Sequence, residues 1–191
     1  DKARQEAIFT KTTQLFPNDF RAYNNLGEMA FAAGDMAKAE SFFKQAAAKN
    51  ANAPEVNANL GLVELVKNNV AAAETFLGKA TGANAANEAL GNLYIKQGQY
   101  QRAVNAFGDA KTNSAAQAQI LAKDYNKAKA TLEAIKDKDA MTDYLMAIVG
   151  ARTNNESLVK NSIKAAIAKD ASLATKAAND REFAKFASAL K

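Results

Sequence analysis

Asn25-Leu26-Gly27 and Asn59-Leu60-Gly61 are the same tripeptide, and their glycines stand 34 positions apart. A related Leu90-Gly91 follows, its glycine 30 positions after Gly61. Self-similarity at such a period marks a repeat architecture built from one supersecondary unit. A unit of this size cannot bury its apolar face alone, so neighbours must stack and the chain folds as an array. Composition says the unit is helical: there are only 2 Pro and 9 Gly in 191 residues. Ala46-Ala47-Ala48 and Ala71-Ala72-Ala73 point the same way, because Ala has the highest helix propensity and lets helices approach closely. So few breakers argue against a sheet of short strands joined by tight turns.

The apolar spacing divides the chain into segments. Ile8, Phe9, Thr12, Leu15 and Phe16 predict a helix over Gln5–Leu15, stopped by Pro17-Asn18-Asp19. Segment 1–19 reads as the second helix (helix B) of a truncated repeat, with an apolar face for an upstream segment to cover. Segment 20–53 pairs helix A, Phe20–Ala33, with helix B, Met36–Lys49, across Gly34-Asp35. Segment 54–83 repeats this with Glu55–Lys67, a turn at Asn68-Asn69, and Val70–Ala80. There Ala73, Leu77 and Ala80 replace Ala39, Phe43 and Ala46, each 34 positions on. Segment 84–113 carries Leu90, Gly91 and Tyr94, a turn at Gly98-Gln99-Tyr100, then Ala103, Phe107 and Ala110. Its four-residue shortfall is expected at the connection Thr81-Gly82-Ala83-Asn84, with a shortened helix and a local change in rise. Segment 114–138 is degenerate: Lys123-Asp124-Tyr125 matches a turn and Ala128, Leu132 and Ile135 match helix B, leaving about Ser114–Ala122 for helix A. Segment 139–170 pairs Asp139–Arg152 with Glu156–Lys169 across Thr153-Asn154-Asn155. The tail, 171–191, reads as two short capping helices, Ser172–Ala178 and Arg181–Leu190, with Asn179 and Glu182 as a capping pair.

This pattern resembles the tetratricopeptide repeat (TPR) family, in which helix A carries an aromatic, Leu, Gly and Tyr, and helix B carries Ala, an aromatic and Ala. The resemblance covers Gln5–Lys169 and is strongest before Asn113. Glu64 departs from it, standing where Tyr is common, and segment 114–138 lacks the Leu-Gly pair, which puts the packing there in question. The resemblance implies an all-α fold: a right-handed α-solenoid of antiparallel helix pairs with C-terminal capping helices. It further implies a non-catalytic scaffold that binds a peptide or protein segment in a concave groove. The runs Phe16–Gly27, Lys169–Leu173 and Glu182–Lys185 look like the TPR region of larger Bacteroidetes cell-envelope proteins, where the repeats follow an OmpA-like portion. That implies a periplasmic or outer-membrane-associated setting, with the cytoplasm as the alternative, and an upstream domain of the same chain among the partners.

Aligned on the repeats, the helix A positions that do not pack inward are Asn24, Glu28 and Phe31, then Ala58, Leu62, Leu65 and Val66, then Glu88, Asn92 and Ile95. This apolar set with amide and acidic groups suits an extended or helical segment with apolar anchors. It lacks the Lys and Arg that would grip a terminal carboxylate. The competing reading of Leu62, Leu65 and Val66 is packing against a neighbouring helix. Gly27, Gly61, Gly91, Ala39, Ala73, Ala103, Phe43, Leu77 and Phe107 read as packing residues.

Other chemistries find little support. The chain has no His and no Cys, so the usual Zn, Cu and haem ligands are missing, and no cofactor or metal is expected. No nucleophile elbow or phosphate-binding glycine loop occurs. Glu28, Glu64 and Glu88 on successive A helices are the one carboxylate array from which a cell-wall hydrolase could be built, and they read as polar groups of a solvated groove. The net charge of +5 prompts an alternative partner, nucleic acid or another anionic polymer, held by Lys160, Lys164, Lys169, Lys176 and Lys185. Basic and acidic residues mostly alternate, as in Lys136-Asp137-Lys138-Asp139, which favours a solvated helix surface instead. No apolar run reaches transmembrane length.

Overall fold

The computed structural model describes residues 1–80, 82 and 84–188. Thr81 and Ala83 of the expected connection, and Ala189, Leu190 and Lys191 of the expected last helix, lie outside the described residues. Among those described there is no strand. The helices are α1 (Lys2–Leu15), α2 (Phe20–Ala32), α3 (Met36–Lys49), α4 (Pro54–Val66), α5 (Val70–Lys79), α6 (Asn84–Lys96), α7 (Tyr100–Phe107), α8 (Asn113–Leu121), α9 (Tyr125–Ala134), α10 (Ala140–Arg152), α11 (Glu156–Lys169) and α12 (Leu173–Asn179). A 3-10 helix over Arg181–Phe186 follows. The chain forms two compact halves, Asp1–Leu90 and Gly91–Lys191, divided within α6.

In the first half, α2 packs on α3 and α4 on α5, with α1 against α2 and α3 against α4. The two pairs are built on the same close approach. A Cβ on Gly27 would lie 2.4 Å from Phe43 Cε1, and one on Gly61 2.6 Å from Leu77 Cγ, so the large residue of helix B lies on bare backbone of helix A. In the second half a Cβ on Gly91 would meet Phe107 Cε2 at 2.6 Å. The degenerate repeats keep the rule with alanine. Ala116 is buried in one cluster with Leu132, and Ala147 in another with Ile163. In all five pairs the small residue precedes the large one by 16 positions. The segment without a Leu-Gly pair thus keeps a small and a large residue at the same spacing, buried in one cluster.

The A-to-B turns are equally regular. Gly34, Asn68, Gly98, Lys123 and Asn154 all adopt positive φ, between 55° and 81°. The next residue then donates its N–H to a carbonyl five residues back: Asp35 to Ala30, Asn69 to Glu64, Gln99 to Tyr94, Asp124 to Gln119 and Asn155 to Gly150, at 2.8–3.0 Å. This satisfies carbonyls that a helix end leaves without a partner. Asp35, Asp124 and Asn155 also cap the following helix through their side chains.

Two sequence expectations are corrected. α7 stops at Phe107 because Gly108 turns the chain at φ 57°, so Ala110 lies beyond helix B, half-buried. Asp180, not Asn179, caps the last helix. That helix begins at Arg181, and the Asp180 carboxylate accepts from the Glu182 N–H, while Asn179 Nδ2 donates to Thr175 O. Glu182 is held by Arg152, whose Nε donates to it at 2.7 Å. The missing four residues of the third repeat are also located: α3 has 14 residues and α5 has 10, so the loss falls at the C-terminal end of helix B.

The tail covers the last pair. Leu173, Ala177, Phe183 and Phe186 are buried with Tyr144, Val159 and Ile163. Tyr144 donates its hydroxyl to Asp180 at 2.6 Å and meets Phe183 edge-on at 5.5 Å between ring centroids.

Candidate functional site

In the first half, α2 and α4 are tied by a polar cluster. Asn24 Nδ2 donates to Glu28 Oε1 at 2.8 Å, and Asn59 Nδ2 donates to Asn24 Oδ1 at 2.9 Å and to Glu28 Oε1 at 3.0 Å. Asn24 is buried, a correction to its reading as an outward position, because its amide is taken up between Glu28 and Asn59; Glu28 is exposed, so the cluster runs from the helix contact out to solvent. Asn59, its third member, was seen in the sequence only as part of a repeated tripeptide.

The remaining expected positions divide. Ala58 is a correction: it is buried in a cluster with Leu77, Ala80 and Ala86, because helix A must approach helix B there. Leu65 packs against that cluster, and Phe31 against the one containing Ala39, Phe43 and Val63. Leu62 is half-buried and Val66 is 58% exposed, so these two keep apolar surface open to solvent. On α6, Glu88 is exposed and Asn92 and Ile95 are half-buried. Their spacing of four and three residues puts the three on one helix face.

In the second half an open cleft of about 430 Å³ is lined by Asn113, Ser114 and Gln117 of α8, by Met141, Tyr144, Leu145 and Ile148 of α10, and by Lys176 and Asp180. The Lys176 ammonium lies 4.7 Å from the centroid of the Tyr144 ring, a cation–π contact. Asn113 Nδ2 donates to Asp139 Oδ1 at 3.0 Å, which fixes the amide at the rim. Apolar floor and amide wall together offer hydrophobic anchoring with hydrogen-bond selection.

Five of the eight groups behind the rival chemistries are engaged. Glu28 accepts from two asparagines, and buried Glu64 accepts from Lys67 Nζ at 2.9 Å. Lys169 pairs with Asp143 at 2.7 Å, Lys176 covers Tyr144, and Lys185 donates to Asn154 at 2.9 Å. Among the described residues no group of three or more acidic side chains comes together to hold a metal. No helix of the described residues is long and apolar enough to cross a membrane.

Three sequence models, each described as tetratricopeptide repeat, match residues 4–54, 30–94 and 86–115. The chain belongs to the TPR family. Comparison with the curated proteins finds no match. Solved structures of similar fold include PilF of Pseudomonas aeruginosa, with TM-score 0.73 and 13% identity over 98% of this chain and 89% of that one. YrrB, described as a TPR protein with an unusual peptide-binding site, gives 0.66 and 19% over 85% and 92%. PilW, described as a widely conserved type IV pilus biogenesis factor, gives 0.64 and 19% over 100% and 91%. The all-α TPR solenoid fold follows.

The TPR register explains why the second-half cleft was missed. Asn24 and Glu28 stand three before and one after Gly27. Counted from Ala116, those positions are Asn113 and Gln117; counted from Ala147, they are Tyr144 and Ile148. All four line the cleft. The signal was present as the 16-residue spacing to Leu132 and Ile163. It was hidden because alanine marks the crossing where glycine marks it earlier.

Proposed function

We propose that this TPR protein is a non-catalytic interaction scaffold that holds a peptide or protein segment on the outward faces of its A helices. The observation that carries the reading is the α8/α10 cleft, whose wall residues occupy the register positions named for the first repeats. In the first half the same function falls to Asn24, Glu28, Phe31, Leu62, Leu65 and Val66, with Asn59 joining them. On α6 it falls to Glu88, Asn92 and Ile95. Amide groups pair with a guest backbone while aliphatic groups receive its side chains. The setting we propose is the cell envelope, with an upstream domain of the same protein among the partners; fractionation of cells expressing the full reading frame tests it.

The binding test is selection of a random peptide library on the full chain. Enriched peptides are expected to lose at least about tenfold in affinity against Met141→Glu or Leu62→Glu, since each buries a charge against apolar ligand surface. Helical content measured by circular dichroism should stay unchanged. Peptides that bind both variants as tightly as the parent would contradict the reading.

A further inference from the structure

Lys176 and Asp180 are the charged side chains that line the α8/α10 cleft, and they differ in their remaining hydrogen-bonding capacity. Asp180 is engaged on both oxygens: Oδ2 accepts the Tyr144 hydroxyl at 2.6 Å and Oδ1 accepts the Glu182 N–H at 2.9 Å. The Lys176 ammonium lies 4.7 Å from the centroid of the Tyr144 ring, and among the described residues it forms no ion pair and donates no hydrogen bond. A ring face attracts the charge without accepting all three N–H groups, so the ammonium keeps donors for an anion. Other basic groups of the last pair and tail are differently placed. Lys169 pairs with Asp143 at 2.7 Å and donates to Lys138 O at 2.8 Å, Arg152 holds Glu182, and Lys185 donates to Asn154.

The charge of the second half has the same sign. Gly91–Lys191 carries 16 Lys and Arg against 10 Asp and Glu, a formal +6, whereas Asp1–Leu90 carries 9 against 10, a formal −1. An acidic guest is therefore drawn to the half that contains the cleft. At the cleft itself the choice is local. A neutral apolar guest lying on Met141, Leu145 and Ile148 covers the neighbouring ammonium and removes its water without replacing it, which is unfavourable. A carboxylate beside the apolar anchor compensates that loss, and a second cation is repelled. Among the described residues Lys176 is the only cation of the lining, which suits one side-chain carboxylate better than a chain terminus.

We propose that the guest of this cleft is an acidic peptide segment. Its Asp or Glu side chain pairs with the Lys176 ammonium while adjacent apolar residues lie on Met141, Leu145 and Ile148. This partner rests on the reading of the cleft as a peptide site and adds the charge that the peptide must carry.

The probe is a synthetic random peptide library, C-terminally amidated so that only side chains are negative, selected on the full chain at low salt. Enriched peptides are expected to be net acidic, with an Asp or Glu beside apolar residues. Changing that residue to its amide should weaken binding to the parent chain about threefold or more, the scale of an exposed ion pair. The same change should have no effect against Lys176→Met, which keeps an apolar stem and removes the charge. Lys176 is exposed, so this variant keeps its fold, checked by an unchanged circular dichroism spectrum. Enriched peptides that are neutral or basic, yet lose affinity against Met141→Glu, overturn the acidic partner and leave the peptide site standing. So does an acid-to-amide change that weakens binding to Lys176→Met as much as to the parent. A short single-stranded DNA that displaces the peptides as well as they displace one another also overturns it, because negative charge alone would then suffice. Enrichment of no peptide removes the peptide site itself, and this partner with it.

Discussion

One absent methyl group sets the distance between α2 and α3. Gly27→Ala drives a Cβ to 2.4 Å from the Phe43 ring, which is buried and cannot swing aside. Overpacking of this kind costs ~1–3 kcal/mol. It outweighs the roughly 1 kcal/mol that Ala gains over Gly in a helix. Urea unfolding should therefore show Gly27→Ala destabilised. Ala39→Leu, at a fully buried position, should lose a similar ~1–3 kcal/mol. The reverse is expected at Lys123, a lysine at φ 64° where the other turns hold Gly or Asn. Lys123→Gly should stabilise by about 0.5–1 kcal/mol in the same assay, by removing the cost of a Cβ in the left-handed region. The glycine crossings were legible because Leu-Gly recurs with a period. Ala116 and Ala147 were not, because in an alanine-rich chain an alanine carries no positional information until the large residue opposite it is known.

Helix ends carry the next level of specificity. Asp139 caps α10 in a reciprocal box, accepting from the Thr142 N–H at 2.8 Å while its own N–H donates to Thr142 Oγ1 at 3.3 Å. The Thr142 backbone N–H, reinforced by the side chains of Thr142 and Asn113, holds the Asp139 carboxyl below its usual range. Asp139→Ala should cost about 1 kcal/mol, read as a lower urea midpoint. At the start of α2, hydrogen bonds from the Arg21 side chain and backbone lower Asp19 to about 2. A carboxyl with a lowered folded pKa stabilises above its unfolded value and loses that contribution as pH falls through the folded one. The stability difference between the parent and Asp19→Asn should thus be constant at neutral pH and shrink between about pH 4 and pH 2. The sequence located α2, α3, α10 and α11 within a residue or so, because their caps and turns are chemically explicit. It overran α7, where Gly108 ends the helix while the apolar pattern continues to Ala110, and it took Asn179 for the cap although Asp180 is one residue nearer the 3-10 helix.

Across the molecule a small residue 16 positions before a large one recurs in five helix pairs of dissimilar sequence. Each half keeps it, whether the small residue is Gly or Ala. The same register carries the candidate surface, which is why part of the site could be read early and part could not. Asn24 and Glu28 were found by alignment and prove linked through Asn59. Asn113, Gln117, Tyr144 and Ile148 needed the structure, since no Leu-Gly pair marks their repeats. Ala58 was placed on the surface because alignment gives position along a helix without the neighbours, Leu77, Ala80 and Ala86, that bury it. The most direct test is amide NMR mapping of the full chain titrated with a library-selected peptide. The account predicts shift changes concentrated at Asn113, Gln117, Met141 and Ile148, or at Asn24, Asn59 and Leu62. Changes confined to the B helices, with these residues unmoved, would contradict it.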